Sequence, residues 1–376
     1  MTNDVRPTSR ILGSPALRWA VPVAAVVAIG GGIALTSGSA DAAAKLPPKS
    51  AAQLLADVGS TTPHGLSGTV VETARLGLPD LPGMAGGTSL QSLVTGSHTA
   101  RVWYGADKKA RVSLVGDLAE TDVVRNGNDV WLWSSTTNEA THYSAKDGAG
   151  AADAAPPAVA TDPATAAAKA LAAVDPTTKV SVDGTGYVAD RPVYQLTLRP
   201  RDARSLIGSV RVAVDAATSV PLRLQVFARG ASDPAFETGF TEVQFQQPDA
   251  SVFRFTPPKG AKVTEGTLPG AGAAAAQSHD EVKAGAGAAH GDAPTVIGKG
   301  WTAVAVMHGV DLSALTKDAT ARTVLQSAGT VTGPFGTGRL LKTALVSVLV
   351  VGDTAYVGAV DPAVLEAAAA APATAR

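Results

Sequence analysis

The chain has no cysteine in its 376 residues. That absence removes disulfides, thiolate nucleophiles, cysteine metal sites and the cysteine on which a lipoprotein anchor is built. An excess of one charge is also missing: 31 lysines and arginines face 32 acids. No bulk field therefore favours nucleic acid or steers strongly charged substrates. Sequence signatures of catalysis are absent as well. There is no G-x-S-x-G nucleophile elbow, no G-x-x-x-x-G-K-[ST] phosphate loop and no G-x-G-x-x-G following a strand. Among the six histidines, no two share a metal-ligand spacing on one predicted element. His279, Asp280, Glu281, His290 and Asp292 gather in one stretch, but glycine and alanine around them offer nothing to orient a metal ligand. His64, His98, His142 and His308 fall at strand ends or edges and read as surface residues, and Asp107, Asp183 and Asp190 read as turn residues. The chemistry of this chain points away from an enzyme, from metals and from cofactors; an envelope hydrolase with carboxylates paired only in space is the enzymatic alternative.

What is present begins at the N-terminus. Arg6, Arg10 and Arg18 precede an uncharged, mostly apolar stretch from Trp19 to Gly38, followed by the small residues "SADAAA". Residues 1–44 read as an export signal or an N-terminal membrane anchor, since about 20 helical residues reach roughly 30 Å. Cleavage and retention both stay open. Either outcome places the rest of the chain outside the cytoplasm, secreted or held at the outer face of the cytoplasmic membrane.

Beyond residue 44 a short helix, "KSAAQLLADV", gives way to a period of two. "GLSGTVVETARLG", "HTARVWYG", "KARVSLVG", "ETDVVRNG", "DVWLWSS" and "ATHYSA" predict an antiparallel meander, with a type I′ turn at Asn126-Gly127. An alanine-rich helix, "TDPATAAAKALAAVD", has Thr161 or Asp162 as its N-cap and Pro163 in its first turn. Strands resume at "TKVSVDG", "RPVYQLTLRP", "GSVRVAVD", "VPLRLQVFARG" and "FETGFTEVQFQ". Residues 261–294 are low in complexity and read as an Ala/Gly-rich linker. Residues 295–376 predict a small α+β unit with a hairpin at Gly352-Asp353 and two helices.

The predicted strands have one apolar face each, and that face needs cover. Large apolar side chains on the helices before the linker are few: Leu54, Leu55, Val58, Leu171 and Val174. A curved sheet under such thin helices leaves either an apolar cavity or an interior filled by its own valines and leucines. Residues 76–94 add an apolar loop broken by proline and glycine, with Leu78, Leu81, Met84 and Leu90 as candidate lid residues. The competing reading tucks that loop onto the core.

"VVRNGNDVWLWSSTTNEATHY" resembles the hairpin of the LolA/LolB-type lipoprotein-carrier superfamily. "YQLTLRP", "VRVAVDAATSVPLRLQVF" and "FTEVQFQQPDASVFRFTPPKG" continue the same order over residues 48 to 260. The resemblance implies a mainly antiparallel α+β fold, an unclosed curved β-barrel covered by short helices, spanning residues 45–260. It implies an apolar cavity for acyl chains, walled here by Trp131, Trp133, Leu196, Leu198, Val212, Val214, Leu222, Leu224 and Val226. The partner would be a lipid or an acylated lipoprotein, with no nucleic acid, no cofactor and no catalytic group. The two-part layout also resembles the MucB/RseB envelope-stress regulators, which implies the alternative of a sensor that binds a membrane-anchored anti-sigma-type partner.

Overall fold

The computed structural model describes residues 45–60, 65–78, 96–116, 118–144, 163–172, 174–266, 295–310 and 319–371. The predicted export signal, the proposed lid residues Leu81, Met84 and Leu90, the N-cap pair Thr161 and Asp162, and most of the predicted linker lie outside the described residues. Two compact units emerge, one from residues 29–201 and 207–285, the other containing residues 202–206 and 286–376. Among the described residues, no helix is long and apolar enough to cross a membrane.

In the first unit the chain runs α1 (Ala51–Ser60), β1 (Leu66–Ala74), β2 (Gly96–Gly105), β3 (Lys109–Val115), β4 (Glu120–Asn126), β5 (Asp129–Ser134) and β6 (Glu139–Ser144). It continues through α2 (Pro163–Ala172), β7 (Thr178–Val188), β8 (Arg191–Pro200), β9 (Ile207–Asp215), β10 (Pro221–Ala228), β11 (Pro234–Gln244) and β12 (Lys262–Gly266). One twelve-stranded sheet takes all of these strands in the order β12-β6-β5-β4-β3-β2-β1-β11-β10-β9-β8-β7. Its two ends, β12 and β7, do not pair, so the sheet is unclosed. β7 nevertheless touches β11, from which β8, β9 and β10 separate it in the ladder, and the sheet is therefore strongly curved.

Local chemistry starts and stops these elements. Ser50 and Gln53 form a capping box at α1: the Gln53 N–H donates to Ser50 Oγ at 3.2 Å and the Ser50 N–H to Gln53 Oε1 at 2.8 Å. The β4–β5 hairpin departs from the expected turn. Asn126 pairs with Asp129, so the central residues are Gly127 and Asn128, and only Gly127, at φ 65°, has a positive φ. That is the glycine-first pattern of a type II′ turn. Lys262–Gly266, expected to begin the linker, instead forms β12, parallel to β6 and in line with it through Thr141–Thr264, His142–Glu265 and Lys262–Glu139 contacts.

The second unit has a six-stranded sheet, β13-β14-β18-β17-β16-β15. Its elements are β13 (Thr295–Ile297), β14 (Val304–Met307), α3 (Ala319–Ser327), β15 (Gly329–Gly333), β16 (Gly336–Lys342), β17 (Ser347–Val351), β18 (Thr354–Gly358) and α4 (Pro362–Ala370). Val304, Val306, Leu349, Val360 and Leu365 make its core. The hairpin at Gly352-Asp353 forms as expected, with Val351 paired to Thr354. Asp361 caps α4 by accepting from the Ala363 N–H at 3.2 Å, and Pro362 occupies the first turn. Residues 202–206 belong to this unit, where Ser205 bridges Val360.

The β9–β10 connection rests on one buried carboxylate. Asp215 accepts from the Thr218 N–H and Thr218 Oγ1, each at 2.7 Å, and from the Arg191 guanidinium at 2.5 and 3.1 Å. Burial alone would raise its pKa, but the Arg191 and Thr218 hydrogen bonds outweigh that and hold it below the usual carboxylate range. The folded state therefore favours the ionised form, and the stability Asp215 supplies is present above the ordinary carboxylate pKa and lost as pH falls through the lowered one. Asp215→Asn is expected to cost about 2–3 kcal/mol at neutral pH and to flatten the acid limb of the stability profile, as measured by urea unfolding between neutral and acid pH.

Candidate functional site

Register assigns every side chain of the first unit to a face. One residue row crosses seven strands: Val182, Leu196, Val212, Leu224, Thr238, Glu72 and His98 lie directly opposite one another in sequence along β7, β8, β9, β10, β11, β1 and β2. The next row on the same face is Val180, Leu198, Val210, Val226, Phe236, Ala74 and Gly96. Toward the other strand ends this face carries Tyr194 with Val214, and Phe240 with Val70, Ala100 and Leu114. The face continues over β3 to β5 as Val112, Val123 and Leu132. It is apolar and, over β8 to β11 and β1, almost fully buried.

The opposite face is of a different character. Its corresponding row reads Ser181, Thr197, Arg211, Gln225, Glu237, Thr73 and Ser97. This row is polar, with Gln225 Nε2 donating to Glu237 Oε2 at 3.1 Å, while elsewhere the same face buries Val193, Ala213, Phe227 and Val124.

Of the nine residues expected to wall a cavity, the register brings Leu196, Leu198, Val212, Val214, Leu224 and Val226 together on the apolar face. Leu222 is buried beside a bulge at the start of β10, next to Leu224. Trp131 and Trp133 are not with them. They pair with Val124 and Asp122, on the polar face. There Trp131 stacks on His142 at 4.4 Å, and Phe255 covers both tryptophans, with ring centroids 5.4 and 6.3 Å away. Asp122 is buried beside them, held by Arg111 at 2.6 Å and by Ser113. The two tryptophans thus anchor the segment after β11 to the outside of the sheet. Of the lid candidates, Leu78 is half-buried, and Leu81, Met84 and Leu90 lie outside the described residues.

Cover for the apolar face comes from small side chains. α2 packs against β10 and β11, and its buried residues include Ala166 and Ala167. α1 contacts β7 and α2 and buries Leu54 completely. The chain just before α1 accepts the Tyr194 hydroxyl at the Pro47 carbonyl, 2.7 Å away, and Lys49 lies 5.5 Å from the same ring.

Beside the buried Thr238 and Thr121, two titratable residues sit on the apolar face. Glu72 is 2% exposed, neither of its carboxylate oxygens has a hydrogen-bond partner, and desolvation pushes its pKa well above the ordinary glutamate value. His98, expected at the surface, is buried directly opposite it. The sequence carries the signal for both. Glu72 shares the parity of Val70 and Ala74, and His98 that of Ala100 and Val102, so both stand at core-facing positions of alternating strands. Among the described residues no group of three or more histidines, cysteines or acids is placed to hold a metal.

No family model and no curated protein matches the chain. Solved structures do. The MucA/MucB complex of Pseudomonas aeruginosa aligns over 85% of this chain and 96% of that chain, at 15% identity and a TM-score of 0.42. A LolA superfamily protein from Nitrosomonas europaea aligns over 55% of this chain and 99% of that one, at 10% identity and a TM-score of 0.21. A putative outer membrane lipoprotein-sorting protein domain from Vibrio parahaemolyticus aligns over 54% and 94%, at 11% identity and a TM-score of 0.22.

Because the unfolded chain ionises Glu72 at the ordinary value while the folded chain retains the proton, wild-type stability falls as pH rises from the usual carboxylate range toward the raised pKa. Glu72→Leu is expected to remove that slope and to add about 1–3 kcal/mol at neutral pH, read as a higher Tm and a higher urea midpoint.

Proposed function

We propose that the protein is an exported, non-enzymatic carrier that shelters the acyl chain of a lipid or lipoprotein against the apolar face of its large sheet. The observation that supports this is a mismatch of sizes. Rows of valine, leucine and phenylalanine extend across β7 to β11 and β1, while the helix lying on β10 and β11 presents buried alanines. Small side chains over a broad apolar face favour a flexible hydrocarbon as additional cover. Such a chain gains roughly 0.8 kcal/mol per methylene removed from water, so affinity needs neither a charged contact nor catalysis.

Native mass spectrometry of the purified full chain is expected to show a co-purifying lipid mass, and a fluorescent fatty acid is expected to be taken up. Leu224→Trp, which fills the centre of the main row, should lower that uptake about tenfold by displacing two or more methylenes of the probe. Neither co-purifying lipid nor uptake in the wild type would overturn the reading.

One feature of the second unit supports a different activity, that of a regulator binding a membrane-anchored partner of the anti-sigma type. β13 is an edge strand, and Val296 and Ile297 on it are 63% and 43% exposed. An open apolar edge is a template for pairing with another chain. A photo-crosslinker placed at Val296 in the full chain in cells is expected to trap one discrete membrane protein. Val296→Lys should abolish the product when the crosslinker stands at Ile297.

A further inference from the structure

The row that supports carriage contains a group that hydrocarbon binding does not use. Glu72 stands near the C-terminal end of β1, with Thr238 of β11 on one side and His98 of β2 on the other. His98 is the titratable residue that faces it from the flanking strands among the described residues. The neighbouring rows on the same face, Phe240, Val70 and Ala100 on one flank and Phe236, Ala74 and Gly96 on the other, are apolar. β8, β9, β10, β11, β1 and β2 place no lysine or arginine on this face.

A carboxyl buried in this way without a partner is costly, and most buried polar groups in folded proteins are paired. Held protonated by desolvation, it presents an O–H donor. An anionic ligand head here would bring an uncompensated charge onto a dry face, and a cationic head would first have to ionise a carboxyl that its surroundings keep neutral. A neutral acceptor fits without either penalty. Four strand spacings separate Glu72 from Leu196, roughly 19 Å along the sheet, a length suited to an extended acyl chain.

We propose that Glu72 is the polar anchor of the apolar face, and that the ligand is an acyl ester or amide whose carbonyl accepts the Glu72 hydroxyl while its chain runs over Leu224, Val212 and Leu196. This inference rests on the carrier reading above, and it adds the chemical class of the ligand. It also accounts for the retention of an acid that stability alone opposes, because binding sites commonly sacrifice stability for function.

The test compares two probes of equal chain length, a fatty-acid methyl ester labelled with carbon-13 at its carbonyl and the corresponding alkane, on the full-length wild type and on Glu72→Gln and Glu72→Leu. Wild type is expected to prefer the ester about tenfold at neutral pH and to lose that preference as pH rises through the raised Glu72 ionisation. Glu72→Gln, which keeps a donor, should preserve the preference without the pH dependence. Glu72→Leu should bind both probes alike. The bound ester carbonyl stretch should shift to lower frequency in wild type and in Glu72→Gln only. Should Glu72→Leu fail to fold, the pH profile and the carbonyl shift decide. Ester and alkane bound equally by wild type, with no carbonyl shift, would overturn the anchor and leave the carrier reading intact. Binding of neither probe would overturn both.

Discussion

Strand register in the twelve-stranded sheet is the constraint on which the rest of the first unit depends. Side chains alternate with a period of two, so a slip of one residue between any two strands would move a whole strand's apolar set to the polar side. The rows that begin at Val180 and Val182 stay in step through five successive strand pairings, to Ala74 and Glu72 on β1. Irregularities fall between Val182 and Thr185, at the start and end of β10, and between Thr69 and Val70, flanking the two rows rather than interrupting them. Bulges at such places increase twist and bend the sheet without exchanging its faces in the middle.

Curvature and cover follow from that division. Curvature brings β7 to β11, while α1 and α2 contribute few large side chains to the apolar face. The polar face is held by local devices instead. Asp122 pins β3 to β4 through Ser113 and Arg111, and the segment containing Phe253 and Phe255 folds back over Trp131 and Trp133. Asp215 does the same service for the β9–β10 turn with Arg191. In each case a carboxylate is buried together with an arginine and further donors, which is how an ionised group survives away from water.

Glu72 is the exception to that rule. It has the burial of Asp122 and Asp215 but none of their partners. The contrast within one sheet gives the anchor proposal its weight: this chain places arginines beside the acids whose role is structural and leaves one acid on the apolar face without any. The edge strand β13 of the second unit is a separate departure, with apolar side chains exposed where sheets usually carry charge.

Much of this was legible in the sequence. Alternation placed the strands, glycine and aspartate marked the hairpins, and the pattern in 210–227 correctly separated Val210, Val212, Val214, Leu224 and Val226 from Arg211, Arg223 and Gln225, because period-two burial is a local property of each strand. The poverty of large helical side chains was equally plain. Tertiary structure alone decided which strand faces combine. Trp131 and Trp133 alternate as convincingly as the valines, yet their parity puts them on the polar side, since the face of one strand relative to another is set by pairing across the sheet. Pairing likewise recruited Lys262–Gly266 from an apparent linker into β12, and it set His98 and Thr238 on either side of Glu72. Sequence determined what each strand would hide; the hydrogen-bonded register determined what would be hidden together.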